Sequence, residues 1–308
     1  MHGFNVVLSI LVVISLGYGL RRIGILDSET IPKITGMLFW VILPVLLFRT
    51  VLTVGMQVFS NLNLFLVVHL AFLVLPPFSS LASSLFRKDK KRLAVSALVS
   101  VRTNDIYMGI PVVTLVFGQE GFEVLSLFFA VGLVGYNLIP ILWAQIVLTG
   151  SFAKNALIST CSSLAKNSLI WGCLLGLLAS LIGISSLPLW LDSAFEILGN
   201  TASGLALLIL GASLKFNRLK NALLESWWDV TVKLLLHPLL ILLLFTVIPA
   251  EPLVRKTMVL IACMPAAINN FVVANGMGMD GEYAAEAVAA GTLLSLISVP
   301  VWIHILSS

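Results

Sequence analysis

Long apolar runs, separated by charged and turn-forming residues, dominate the chain. Each run has about the 20 residues that an α-helix needs to cross a bilayer. The runs predict ten membrane spans near 4–20, 31–51, 62–86, 93–117, 123–149, 168–184, 189–214, 229–248, 254–276 and 283–306. We therefore expect an all-α integral membrane protein with short connecting loops.

Composition supports this interpretation, because the chain lacks the polar surface of a water-soluble domain. Charged residues make up 10% of the 308 residues and hydrophobic residues 59%, whereas soluble domains average about 25% and 45–50%. No basic residue precedes the first apolar run, so we expect a retained span at 4–20 rather than a signal peptide.

The basic residues predict the orientation of the spans. The loops that follow odd-numbered spans hold Arg21, Arg22, Lys33, Arg87, Lys88, Lys90, Lys91, Arg92, Lys154, Lys166, Lys215, Arg218 and Lys220, and the other side holds Arg49, Arg255 and Lys256. Basic loops favour the cytoplasm, so both termini are predicted to lie outside the cell membrane. The short loops of the chain are typical of prokaryotic proteins, which indicates the inner membrane of a prokaryote. The charge of +4 forms no basic face, so no nucleic-acid partner is expected.

The prolines indicate an internal repeat. After a shift of about 160 residues, Pro76-Pro77 falls on Pro238 and Pro140 falls on Pro300. A proline inside a helix removes a backbone hydrogen bond and kinks the helix, so similar spacing predicts similar bends. Spans of similar length can also align prolines by chance, which is the alternative.

An odd number of spans in each half places the second half upside down relative to the first. The predicted organisation is a first five-helix repeat at 1–150, a short cytoplasmic connection at 151–167 and an inverted second repeat at 168–308, within one membrane domain. Inverted repeats are the plan of many secondary transporters.

The fourth span combines a cation, an anion and an amide in Arg102, Asn104 and Asp105. Counting from Arg92 at the interface, a rise of about 1.5 Å per residue puts Arg102 about 15 Å deep, near the bilayer centre. Ionisable groups at that depth mark a substrate or ion path by default. The alternative is that Arg102 and Asp105, one helical turn apart, neutralise each other and only stabilise the fold.

A break in the fourth span is expected around Gly109-Ile110-Pro111. The ninth span has a counterpart in Pro265 and the amide pair Asn269-Asn270. Two interrupted helices at matching places in two halves are the best sequence indication of a transporter's binding site. Alternatively, the two amides hydrogen-bond between neighbouring helices.

Other polar residues give weaker indications. Glu282 and Glu286 fall one turn apart at the start of the tenth span, where they are interfacial or, alternatively, Glu286 takes part in ion coupling. His237, before Pro238, fits a helix kink better than a proton relay. The cysteines Cys161, Cys173 and Cys263 lack metal-ligand spacing, and no metal site or cofactor is expected.

Four segments resemble the auxin efflux carrier family, which includes plant auxin carriers and bacterial malate and malonate permeases. They read ILPVLLFRTVL, NDIYMGIPVV, VKLLLHPLL and MPAAINNFVVANGMGMDGEYAAEAVAAGTLLSLISVPV. The resemblance runs from about residue 4 to 306. It implies a ten-helix inverted-repeat fold like that of bile-acid symporters, with helices 4 and 9 crossed and broken, and it implies homodimers.

The resemblance also assigns positions. Asn104, Gly109 and Pro111 match the family's first crossover, and Ile268-Asn269-Asn270 falls at the second. Plant members have a proline where this chain has Asn270, so a softer second break is expected. Their long hydrophilic loop is absent here. Arg102 and Asp105 are not part of the family pattern, so the substrate need not be auxin.

These features predict a secondary transporter that moves a small organic anion, such as malate, malonate or an auxin-like acid, by alternating access. Arg102 would meet the carboxylate, Asn104, Asn269 and Asn270 would shape the pocket, and Asp105 would carry H⁺ or Na⁺. An anion-binding membrane sensor without transport is the alternative. An enzyme is not expected, because no nucleophile or metal cluster is recognisable at depth.

Overall fold

A computed structural model describes residues 2–54, 62–151, 165–184, 186–213 and 219–307, with the single positions 158 and 162. Its regular structure is helical. The α-helices are α1 His2–Arg22, α2 Thr30–Met37, α3 Leu43–Val54, α4 Leu62–Ser83, α5 Lys90–Val99, α6 Ile110–Thr149, α7 Ser168–Leu181, α8 Leu189–Ser213, α9 Leu219–Thr231, α10 His237–Val247, α11 Pro252–Ala262, α12 Asn270–Gly276 and α13 Gly281–Ser307. Short π-helical turns at Leu38–Ile42, Asp105–Gly109 and Val232–Leu236 precede α3, α6 and α10.

Six helical stretches of the described chain are long and apolar enough to cross a membrane. They are Thr30–Thr53, Leu62–Ser83, Asp105–Thr149, Leu189–Ser213, Ala222–Val247 and Gly281–Leu306. The predicted all-α, multi-pass membrane protein is confirmed at this level. The count of ten spans in two inverted repeats stays a prediction.

The longest stretch is too long for one crossing. Its 45 residues would extend about 68 Å as one α-helix, against a hydrocarbon core about 30 Å thick. Gly118 interrupts it with φ 65° and ψ −153°, a conformation open to glycine because it lacks a Cβ. The stretch is therefore two helices, which meet where the sequence separates the fourth and fifth apolar runs.

Several predicted features lie outside the described residues. Most of the connection at 151–167 is among them, as are Lys154, Cys161, Lys215 and Arg218. The described chain forms two compact units, each assembled from both halves of the sequence. This grouping does not test whether 1–150 and 168–308 are repeats.

The first unit comprises Met1–Leu62, Ile106–Leu133 and Lys166–Leu214. Its helices approach closely at glycines. A Cβ at Gly172 of α7 would lie 2.5 Å from the Pro44 carbonyl oxygen, and one at Gly176 would lie 2.6 Å from that of Phe48. In a lipid environment the hydrophobic effect does not drive helices together, so close van der Waals packing has to. Small residues such as glycine permit that packing.

Arg49 of α3 forms ion pairs within the first unit. Its Nε atom donates to Asp192 Oδ1 at 2.6 Å, and its Nη2 atom donates to Glu196 at 3.0 Å. Arg49 therefore binds carboxylates on α8.

The second unit comprises Asn63–Asp105, Val134–Ala165 and Lys215–Ser308. Small and branched apolar side chains from α5, α13 and the end of α6 form its core, including Val95, Leu98, Ala144 and Ala284. A charged group, here called the Tyr283 cluster, lies at the start of α13. It consists of Arg87, Arg92, Glu225, Asp229, Asp280 and Tyr283.

Within the Tyr283 cluster, two arginines contact one aromatic ring. The guanidinium carbons of Arg87 and Arg92 lie 4.5 and 4.9 Å from the centroid of the Tyr283 ring. The Tyr283 hydroxyl donates a hydrogen bond to Asp229, which also pairs with Arg87. The cluster joins the connection before α5 to α9 and α13.

Candidate functional site

The predicted fourth span is interrupted at its polar residues. Helix α5 ends at Val99, and the backbone becomes non-helical through Asn104. The ninth span is interrupted between the end of α11 at Ala262 and the start of α12 at Asn270. Both interruptions lie in the second unit.

The two interruptions pair with each other as a short antiparallel bridge between Thr103 and Ala266. Asn104 N donates to Pro265 O at 2.7 Å, and Ala267 N donates to Arg102 O at 2.7 Å. Backbone N–H and C=O groups that lie away from water need hydrogen-bond partners. The bridge provides partners at the two interruptions, where the regular hydrogen bonds of the helix are missing.

The first interruption lies upstream of the predicted position. Gly109 closes the π-helical turn Asp105–Gly109, Ile110 begins α6, and Pro111 is its second residue. Pro111 thus lies within the helical stretch that runs from Asp105 to Thr149. The interruption at 100–104 precedes Gly109-Ile110-Pro111, so the expectation of a break at these three residues is corrected.

Arg102 is buried within the first interruption and contacts two amides. Its side chain is 1% exposed. Nε donates to Asn270 Oδ1 at 2.7 Å, and Nη1 donates to Asn137 Oδ1 at 2.8 Å. The guanidinium carbon also lies 5.1 Å from the ring centroid of Tyr136, whose hydroxyl donates to Thr103 O at 2.7 Å. All four partners of this network belong to the second unit.

Arg102 and Asp105 do not form a direct ion pair. In the described chain, the ion pairs involve Arg49, Arg87 and Arg92 on the basic side, and none includes Arg102 or Asp105. The hydrogen bonds of Arg102 go to uncharged amide oxygens. The alternative, in which Arg102 and Asp105 only stabilise the fold, required direct contact between their charges. The guanidinium charge of Arg102 is not neutralised in that way.

Asn104 and Asp105 are also buried beside the bridge. Thr103 hydrogen-bonds the Asp105 carboxylate through its side chain. Among the described residues, no hydrogen-bond donor reaches Asp105 Oδ1. A buried carboxylate oxygen without a donor is costly, by about 1–3 kcal/mol or more.

The structure separates the two amides of the ninth span. Asn270 is buried, accepts from Arg102 and begins α12, whereas Asn269 is exposed in the preceding turn. Ile268 shares that turn, and Pro265 lies in the non-helical segment. Asn270 therefore meets Arg102, and Asn269 does not share its burial.

Sequence reasoning missed Tyr136 and Asn137 of this network, and it missed the buried Lys233 at the second interruption. Lys233 is 1% exposed, and its Nζ atom donates to Ala262 O at 2.8 Å and lies 3.0 Å from His237 Nδ1. An ammonium group only donates, so Nδ1 accepts. A lysine within the apolar run 229–248 and an amide within 123–149 were the signals in the sequence that could have identified two of them.

The remaining predicted positions lie elsewhere or have no structural test. Glu286 is half-buried in α13, and the nearby Glu282 is exposed. Their assignment to the interface or to ion coupling stays a prediction. Over the described part of the chain, no group of three His, Cys, Asp or Glu side chains could hold a metal ion.

Apolar helices of membrane-spanning length, together with charged and amide side chains buried at two interrupted helices, define a polytopic membrane protein of the transporter class. The chain belongs to the membrane transport protein family, whose model matches residues 2–303. The resemblance to auxin efflux carriers is thereby confirmed.

Relatives of similar length carry transporter names. An uncharacterized transporter of Methanothermobacter thermautotrophicus is 25% identical over 98% of this chain and 98% of its own length. A Rhizobium meliloti protein named "Putative malonate transporter" is 25% identical over 96% of this chain and 93% of its own length. The uncharacterized transporter YfdV of Escherichia coli is 23% identical over 71% of this chain and 70% of its own length.

Proposed function

We propose that this protein is a secondary transporter that moves a small organic anion by alternating access. The observation that carries this proposal is the burial of Arg102, whose hydrogen-bond partners are uncharged amide oxygens. Burying a charge is expensive unless an opposite charge compensates it. A carboxylate substrate would provide that compensation when bound.

The guanidinium geometry suits this role. Arginine presents its donors as a rigid planar fork that matches the two oxygens of a carboxylate. The bonds to Asn270 and Asn137 involve Nε and Nη1, so the Nη2 amino group takes part in neither. The two amides orient the fork, as substrate-positioning groups must.

We assign the other residues by their proximity to Arg102. Asn104 and Asn270 shape the pocket beside the bridge, and Asn269 joins them if the turn at Ile268 rearranges during transport. Asp105 carries a proton, since its Oδ1 atom lacks a donor among the described residues. Malonate is the first substrate to test, because one relative bears its name.

The proposed topology has ten crossings in two inverted five-helix repeats of the bile-acid symporter kind, with both termini outside an inner membrane, and a homodimer as the assembly. The pairing of two interrupted segments, one from each half of the chain, supports it. A C-terminal tag protected from external protease in spheroplasts, whose outer membrane has been opened, would contradict the orientation.

Counterflow tests the function. Purified protein is reconstituted into liposomes loaded with unlabelled malonate, malate, lactate or indole-acetate, and labelled anion is added outside. Accumulation of label with at least one of these anions is expected. Binding of an anion without exchange would instead support a membrane sensor, and the transport proposal would fail.

A further inference from the structure

A lysine is buried where the ninth span is interrupted. The Nζ atom of Lys233 donates to the carbonyl oxygen of Ala262, the last residue of α11, at 2.8 Å. The last carbonyls of a helix have no partner within the helix and carry the negative end of its dipole. This position attracts a cation.

Two further groups make the surroundings of Lys233 attractive for a positive charge. The Nδ1 atom of His237 lies 3.0 Å from Lys233 Nζ and accepts a hydrogen bond from it. The Asp105 carboxylate attracts the ammonium from a greater distance, and no direct ion pair joins the two in the described part of the chain. A helix-end carbonyl and a ring nitrogen thus accept hydrogen bonds from one buried amine.

Such a set of groups is the kind that holds a coupling cation in inverted-repeat transporters. There, unwound backbone carbonyls and the C-terminal ends of half-helices coordinate Na⁺ or bind H⁺. Na⁺ and an ammonium group carry the same charge. The position that a free Na⁺ would occupy is therefore already filled by a side chain.

We propose that the Lys233 ammonium serves as a tethered cation in place of a coupling Na⁺, so that this protein moves its anion without Na⁺. The transport part of this inference rests on the proposed function. When Asp105 carries no proton, its charge offsets that of Lys233, which leaves the charge of Arg102 for the substrate anion. Coupling to Na⁺ is then excluded, in agreement with the proposed role of Asp105 as a proton carrier.

The first test needs no substrate. Melting temperatures of the purified protein are compared in NaCl and in choline chloride at equal ionic strength, for wild type, Lys233→Ala and the exposed control Lys91→Ala. Wild type and Lys91→Ala should melt at the same temperature in both salts. Lys233→Ala should melt lower in choline, and its melting temperature should rise as Na⁺ increases, because a ligand that binds only the native state stabilises it.

Two results would overturn the inference. One is a Na⁺-specific rise in the melting temperature of wild type, and the other is a folded Lys233→Ala protein with no Na⁺ response. If Lys233→Ala does not fold, Lys233→Met is used in its place in the same comparison, because methionine keeps most of the apolar stem of lysine. The wild-type response remains decisive in either case.

The second test is malonate counterflow with choline replacing all Na⁺. The wild-type rates of malonate exchange in Na⁺ medium and in choline medium should agree within about twofold, which corresponds to less than about 0.5 kcal/mol. Loss of exchange in choline would overturn the Lys233 assignment. Absence of exchange in both media would overturn the transport of malonate, while the melting comparison would still decide the role of Lys233.

Discussion

The Nε atom of Arg102 donates a hydrogen bond to Asn270 Oδ1 across 2.7 Å, although 168 positions separate the two residues in the chain. The backbone bridge between Thr103 and Ala266 joins the same two segments. Together they join the polar segments of the fourth and ninth spans, one from each half of the sequence.

Replacing Arg102 should abolish most anion uptake. A hydrogen bond to a charged group contributes about 1.5–3 kcal/mol, and about 1.4 kcal/mol corresponds to tenfold. Arg102→Ala should therefore weaken the affinity for the anion by roughly 10–100-fold, and Arg102→Lys should lie between Arg102→Ala and wild type. Counterflow at several anion concentrations measures this.

Arg22→Ala is the matched control for that experiment. Arg22 is exposed and hydrogen-bonds Tyr18 in the same helix, so its loss should leave uptake unchanged. Uptake by Arg102→Ala at the wild-type rate, with normal amounts of folded protein in the membrane, would remove Arg102 from the substrate site.

Asp105→Asn should flatten the pH dependence of transport. An amide has nearly the shape of a carboxyl group but does not titrate in the physiological range, so the variant cannot exchange a proton at this position. The rate of anion exchange should respond less to pH, while the anion KM changes by less than about threefold. A pH profile identical to that of wild type would contradict the role of Asp105 as proton carrier.

Tyr283→Phe should destabilise the second unit without removing its aromatic contacts. The hydroxyl donates to the buried carboxylate of Asp229, while the ring faces Arg87 and Arg92. Losing a donor to a buried acceptor costs about 1–3 kcal/mol. A lower melting temperature is expected, and Tyr18→Phe, which alters an exposed hydroxyl, should have less effect. Equal effects of the two substitutions would show that the Asp229 contact contributes little.

Two glycine-to-alanine substitutions in the first unit should differ in their effect on stability. At Gly176 a Cβ would lie 2.6 Å from the Phe48 carbonyl oxygen, so Gly176→Ala should push α7 away from α3 and lower the melting temperature. At Gly204 of α8 nothing lies within 4 Å of the added Cβ. Gly204→Ala should be neutral or stabilising by up to about 1 kcal/mol, because alanine favours the helix. Destabilisation by Gly204→Ala alone would contradict the packing described for the first unit.

Sequence reasoning identified the buried polar residues of the predicted fourth span more accurately than the place where its helix is interrupted. It identified Arg102, Asn104 and Asp105 as unusual because charged groups stand out in an apolar run. It placed the break at Gly109-Ile110-Pro111, because proline disfavours helix interiors, whereas the chain is helical there and the interruption lies at 100–104. It also overlooked Lys233, although a lysine within the apolar run 229–248 stands out in the same way as Arg102.

The apolar runs by themselves predicted a helical membrane protein, because a helix surrounded by lipid needs apolar residues along its whole length. The family motifs likewise determined membership, because they are local strings. Only the tertiary structure decided that Arg102 meets Asn270 and Asn137, and that Lys233 meets Ala262. Which buried polar groups become partners depends on which interrupted segments come together, and no local pattern of residues contains that information.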